Sequence, residues 1–164
     1  MIELRKLTFD NWKEVAALKV AENQSEFIEF STLHSIAETY IYNTNGEPAT
    51  AYGIYADDTP VGYFRYSYWI WEDGAEDDPY INKYVYCIDV VMIDEHHQGK
   101  GYGRQAFEKL LADISKMPYG EAEYIIISYS IKNVAAKSLY ASFGFVESLP
   151  REDCNGMYAH KCLK

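Results

Sequence analysis

Tyr86-Cys87-Ile88-Asp89-Val90-Val91-Met92-Ile93-Asp94-Glu95-His96-His97-Gln98-Gly99-Lys100-Gly101-Tyr102-Gly103-Arg104 joins an apolar run to a glycine-rich turn that opens a helical pattern. Residues 85 to 93 are nearly all apolar and rich in Val and Ile, which reads as a strand covered on both faces. Beyond the turn, Phe107, Leu110, Leu111 and Ile114 fall at i, i+3, i+4 and i+7, so a helix follows, and Pro118 marks where the pattern stops. Gly99, Gly101 and Gly103 let the backbone between strand and helix take positive φ and approach a ligand without a Cβ in the way. The free N–H groups, the positive end of the helix dipole, Lys100 and Arg104 together suit a phosphate or pyrophosphate.

Three phosphate motifs compete for this turn. The P-loop pattern G-x-x-x-x-G-K-S/T fails, because Gly101 follows Lys100. The dinucleotide form G-x-G-x-x-A matches Gly101 to Ala106, with Glu121 and Glu123 about 20 residues on, but that motif belongs to the first strand-helix unit of a doubly wound domain and here lies mid-chain. The third pattern, Q-x-x-G-x-G, is met by Gln98, Gly101 and Gly103. Downstream, residues 123 to 129 read as the next strand, and Asn133 is a natural N-cap. On the helix it opens, Ala136, Leu139, Tyr140 and Phe143 share one face, and Gly144 suits the C-terminal cap.

Gln98 to Gly103 resembles the pyrophosphate-binding signature of the GNAT superfamily of acetyl-CoA-dependent N-acetyltransferases. Asn133 to Phe145 resembles the superfamily's N-x-x-A-x-x-L-Y-x-x-F-G-F segment, which packs beside the pantetheine arm. The resemblance implies an α/β (α+β) acyl-CoA N-acyltransferase fold, with a central mixed, mostly antiparallel sheet flanked by helices.

With 164 residues, 48% apolar and 24% charged, the chain suits one soluble domain spanning residues 1 to 164. Cys87, Cys154 and Cys162 form no C-x-x-C pair, so neither a disulfide framework nor a zinc knuckle is expected. Met1 to Lys6 opens no signal core and no run approaches 18 apolar residues, which points to the cytoplasm. A formal net charge of −10 argues against nucleic-acid and anionic-membrane partners and favours cationic ones, although an acidic surface also serves solubility alone.

Taken in order, Ile2 to Leu7 alternates as a first strand, and Thr8 or Asp10 caps a helix whose Trp12, Val15, Ala16 and Leu18 face the core. Residues 21 to 30 mix acids and amides with aromatics; Glu22-Asn23-Gln24, followed by an aromatic and Ile28-Glu29, is similar to bacterial spermine/spermidine acetyltransferases. Residues 32 to 42 form a second short helix, and 43 to 48 a loop. Thr50 to Ala56 and Val61 to Trp71 make a hairpin whose second strand carries Tyr63, Phe64, Tyr66, Tyr68, Trp69 and Trp71, rings for the core or for an acceptor pocket. Residues 72 to 79 hold five acids, either a solvated loop or an acidic lip that draws in a polycation. Val146 to Ser148 and Met157 to Cys162 close the sheet around a turn at residues 152 to 156.

The resemblance further implies direct acetyl transfer to an amine in a ternary complex, with no covalent enzyme intermediate and no metal. An amine of pKa near 10 must lose a proton, the carbonyl oxygen must be stabilised, and the leaving thiolate must gain a proton. Asp89, the lone ionisable side chain in its apolar strand, is the candidate base, directly or through water; a structurally bonded carboxylate is the alternative. Tyr140 matches the family's proton donor to sulfur. Coenzyme binding maps to Val91, Met92, Ile93, Gln98, Gly99, Lys100, Gly101, Tyr102, Gly103, Arg104, Asn133 and Tyr140, with strand N–H groups near Val91 serving the oxyanion and the pantetheine amides. Glu22, Gln24, Glu26 and Asp89 map to the acceptor. His96 and His97 point apart and read as turn residues. The implied acceptor is a small cationic amine, a polyamine such as spermidine or spermine. A protein or peptide amine or an aminoglycoside is the alternative within the class; a dinucleotide-binding oxidoreductase and a silent coenzyme A sensor are alternatives outside it. A homodimer fits the family's habits.

Overall fold

The computed structural model describes residues 1–28, 30–72, 78–151 and 155–163. Its strands are β1 (Ile2–Lys6), β2 (Ala49–Ala56), β3 (Thr59–Trp71), β4 (Lys83–Ile93), β5 (Tyr124–Ser130), β6 (Val146–Pro150) and β7 (Gly156–Cys162). They form one seven-stranded sheet in the order β1-β2-β3-β4-β5-β7-β6. Every neighbouring pair is antiparallel except β4 and β5. A parallel pair needs a crossover, which α3 (Tyr102–Ile114) supplies. The architecture is the mixed, mostly antiparallel sheet between helices that the resemblance implies.

Helices pack on both faces. On one, α3 and α4 (Val134–Ser142) bury Phe107, Leu110, Ile114 and Tyr140 against Phe64, Tyr66, Ile88 and Ile127. Phe107 ties the two helices together, its ring 5.2 Å from Tyr140 and 5.1 Å from Phe143; truncating such a residue to Ala costs about 3–5 kcal/mol. On the other face, α1 (Trp12–Ala16) and α2 (Thr32–Thr44) cover Tyr55, Tyr63 and Met92 through Val15 and Ile36.

Local capping chemistry sets the helix ends. Ser31 Oγ accepts from His34 N–H at 3.2 Å to start α2, and Asn133 Oδ1 accepts from Ala136 N–H at 3.0 Å to start α4. Neither Thr8 nor Asp10 caps α1. Asn11 occupies the cap, and its amide binds backward instead, accepting from Thr8 N–H at 2.7 Å and donating to Lys6 C=O at 3.1 Å. The helix is then only five residues long and buries Val15 alone.

β4 departs from expectation at its centre. Tyr66 pairs with Ile88 and Arg65 with Val90, which leaves Asp89 as an extra residue, a bulge that bends the strand. The ladder to β5 stops at the same place, running from Val85↔Tyr124 to Ile88↔Ile127. Beyond it the two strands part. Residues 89 to 93 therefore keep β3 on one edge and face a cleft on the other, so the strand is not covered throughout.

Candidate active site

The cleft between the parted strands has a volume of about 750 Å³. Val91, Met92, Ile93, Gln98, Gly103, Asn133 and Tyr140 line it, as do Asp89, Gln24 and Glu26 from the residues expected at the acceptor.

On the α3 side, Gly99 and Gly101 both take φ of +75°. A Cβ at either would meet nothing within 4 Å, so glycine serves the left-handed backbone rather than a lack of space. Gly101 sits at the N-cap of α3 without a side chain to offer, and the first intrahelical bond runs from Gln105 N–H to Gly101 C=O at 3.3 Å. The N–H groups of Tyr102, Gly103 and Arg104 thus have no intrahelical partner and lie at the positive end of a 13-residue helix.

Several side chains expected at the coenzyme are engaged within the protein. Lys100 Nζ donates to His96 C=O at 3.2 Å, and Arg104 donates to Ser142 Oγ at 2.8 Å while lying 4.9 Å over the Phe143 ring. Tyr102 packs on the core. Met92 is buried in the opposite core, where its sulfur accepts from Thr32 Oγ1 at 3.3 Å, so it offers backbone only. Asn133 Oδ1 is occupied by capping. Gln98 donates to both Ile93 C=O at 2.9 Å and Gln24 Oε1 at 2.7 Å, and accepts from Gln24 at 3.0 Å. Both of its amide hydrogens are taken, and the side chain braces the turn against the 3₁₀ helix Glu22–Phe27.

Tyr140 is 6% exposed, its ring between Phe107 at 5.2 Å and Tyr129 at 5.5 Å. Burial pushes its phenol above the ordinary tyrosine value. Among the described residues its hydroxyl makes no hydrogen bond, and it borders the cleft as a proton-bearing group.

Across the cleft, Asp89 projects toward α2. Ser67 Oγ donates to its Oδ1 at 3.2 Å, and Arg65 Nε lies 3.4 Å from Oδ2. Its side chain is 20% exposed, an opening into the cleft. Burial raises its carboxyl to about 6, against the lowering pull of Arg65, Ser67 and Cys87, and Glu38 adds to the rise. Glu26 lines the cleft and pairs with Lys132 at 3.5 Å. Glu22 is exposed outside the lining, because it sits on the outer side of its 3₁₀ helix.

The β3 rings belong to the core; of the described β3 residues only Arg65 reaches the cleft, where Phe27, Phe30, Tyr129 and Tyr140 supply the aromatic surface. Arg65, Glu38 and Ser35 escaped the sequence reading, although Arg65 is a charge inside an aromatic strand, the signal that singled out Asp89. Of the acidic stretch, Glu72 is exposed, while Asp78 is buried and accepts from Trp71 Nε1 at 3.0 Å and Tyr80 N–H at 2.8 Å. Asp73, Glu76 and Asp77 lie outside the described residues, as do Glu29, Cys154 and most of the turn at 152 to 156. His96 and His97 sit in the 3₁₀ turn Glu95–His97; among the described residues no group of three or more His, Cys, Asp or Glu could hold a metal, and no helix is long and apolar enough to cross a membrane.

The spermine/spermidine N(1)-acetyltransferase of Bacillus subtilis strain 168 is 29% identical over 146 residues, covering 88% of this chain and 87% of the relative. In fold, the spermidine N-acetyltransferase of Vibrio cholerae, solved with CoA and spermine, superposes with a TM-score of 0.69 at 18% identity, over 99% of this chain and 95% of that one. An aminoglycoside acetyltransferase in complex with coenzyme A superposes with a TM-score of 0.68 at 19% identity, over the same shares of 99% and 95%. Residues 12–145, from α1 through the cleft to the end of α4, match the model of the acetyltransferase (GNAT) family, and the chain belongs to that family.

Proposed function

We propose that the protein transfers an acetyl group from acetyl-CoA to a primary amine of a polyamine such as spermidine or spermine. The carrying observation is the parting of β4 from β5 beside the α3 N-terminus. It leaves strand-edge amides and unpaired helix N–H groups along one cleft. Such a cleft fits a ligand that combines amides with a pyrophosphate, as coenzyme A does. The turn from Gly99 to Gly103 and the first turn of α3 would hold the pyrophosphate, and the backbone of Val91 and Ile93 the pantetheine amides. When bound, acetyl-CoA supplies an acetyl thioester.

The remaining work falls to side chains. An acceptor ammonium of pKa near 10 must give up its proton. Asp89, raised to about 6, is mostly ionised at neutral pH and a stronger base than an ordinary carboxylate. Tyr140, whose phenol is kept protonated by burial, holds a proton for the departing sulfur. Backbone N–H near Val91 offers a donor to the developing oxyanion. The Asp89 carboxylate on the acceptor side and a chain charge of −10 favour a cation. The names of the curated relatives support polyamines within that class.

Release of coenzyme A thiol, with spermidine, spermine, a lysine-bearing peptide and an aminoglycoside offered separately at low salt, tests this. Turnover with the polyamines alone is expected. Faster release with the peptide or the aminoglycoside would replace the polyamine. No release with any of them, while acetyl-CoA raises the melting temperature, would remove the acceptor part and keep the coenzyme part.

A further inference from the structure

Arg65 is enclosed between the sheet and α2, its side chain 4% exposed. Nη1 donates to the Glu38 carboxylate and lies 3.5 Å from Ser35 Oγ, while the guanidinium stacks 4.7 Å over the Tyr42 ring. Nε approaches Asp89 Oδ2 at 3.4 Å, yet it is buried and has no aligned hydrogen-bond partner. A buried donor in that state is costly, and the Asp89 carboxylate is the acceptor within reach of Nε. Stacking on Tyr42, burial and the bond to Glu38 together hold the guanidinium in this orientation.

We propose that Arg65 is a positioning residue for Asp89: the guanidinium fixes the direction in which the carboxylate faces the acceptor, and Glu38 holds the guanidinium in place. The proposal rests on Asp89 acting as the base. Arginine suits the task because its planar fork reaches two carboxylates at once and stays charged throughout the working pH range. Burial alone would weaken that charge, and Asp89 and Glu38 outweigh it.

The groups facing Asp89 are Arg65, Ser67 and Tyr63 from β3, Cys87 from β4, and Glu38 and Tyr42 from α2, with His34 3.5 Å from Glu38. Of these, Arg65 favours the ionised carboxylate and Glu38 opposes it. Their removal must therefore move its titration in opposite directions, which loss of packing alone would not do.

The test pairs carboxyl-carbon NMR of Asp89 in the free protein, assigned with Asp89→Asn, with the pH profile of kcat/KM for acetyl-CoA and the best acceptor of the four-amine panel. In Arg65→Met the Asp89 midpoint and the acid limb should rise by about one pH unit, the low end of the effect of a close opposite charge, with kcat down at least about tenfold. In Glu38→Gln both should fall. Arg65→Lys should return the midpoint toward the parent value while kcat stays reduced, because the fork is lost. Midpoints that stay fixed in Arg65→Met and Glu38→Gln, with Asp89→Asn inactive, would overturn the positioning role alone. Parental turnover in Asp89→Asn would overturn the base reading and this role with it. If Arg65→Met does not fold, Glu38→Gln decides: an unmoved midpoint rejects the proposal.

Discussion

Along the wall of the cleft nearest α3 and α4, two short stretches of chain supply nearly everything: residues 88 to 103, Asp89 apart, and 127 to 140. The opposite wall is gathered from Gln24, Glu38, Arg65, Asp89 and Arg151, contributed by a 3₁₀ helix, α2, two strands and the loop after β6. The first wall presents mainly backbone amides and a helix terminus, while the second presents charged side chains. A ligand of constant chemistry can be held by backbone that a contiguous motif shapes. A variable acceptor requires side chains, and those other than Gln24, which braces Gln98, can be changed one at a time without disturbing the turn.

The largest break in that comparison should come from Asp89→Asn. Loss of a general base is worth ~10²–10⁴ in rate, so kcat should fall at least about a hundredfold while affinity for coenzyme A, measured by calorimetry, holds. The same variant carries a stability signature. Asp89 binds its proton more tightly in the folded chain, at about 6 against 3.8, so the folded state carries the extra proton between those values and loses stability as pH rises through them. Relative to Asp89→Asn, the parent should lose about 3 kcal/mol in all between pH ~3 and ~7, about 2 of it between pH ~4 and ~6, in paired denaturant titrations. A flat difference would mean that the carboxyl titrates as an ordinary aspartate.

Next in size, Tyr140→Phe should lower kcat by at least about tenfold with an unchanged melting temperature; parental turnover would exclude Tyr140 as proton donor. Gly101→Val acts on the other wall. A branched residue held at φ +75° costs roughly 1–2 kcal/mol, so the free turn should relax out of the left-handed region and coenzyme A, which must restore it, should bind about tenfold more weakly, with little change in the acceptor KM. The smallest effect is expected from Gln24→Ala, which removes the brace to Gln98 and should raise both KM values only about two- to threefold.

How much of each wall is legible in the sequence follows from its construction. The turn, α3, Asn133 and Tyr140 lie in periodic or capped segments whose spacing exposes the elements, and the family resemblance singles out Tyr140 among the apolar residues of its helix face. Asp89 stands out as a charge among apolar neighbours. The Gln24–Gln98 pair spans 74 residues and carries no periodic signal. Lys100 and Arg104 are cations beside a phosphate-like turn, but sequence does not show that His96 C=O and Ser142 Oγ already hold them. The open half of β4 is equally hidden, since a cleft wall made of Val91 and Ile93 has the same apolar composition as a core.

The bulge at Asp89 changes the parity of its strand. Tyr86 and Ile88 point toward α3, and so do Val91 and Ile93: even numbers before the acid, odd numbers after it. Val90 and Met92 point the other way. Striking out the single letter at position 89 would restore an unbroken alternation, with every apolar side chain on the side it already occupies. The carboxylate is thus an insertion into a strand that is complete without it, and the grammar of the core and the chemistry of the site can be edited independently.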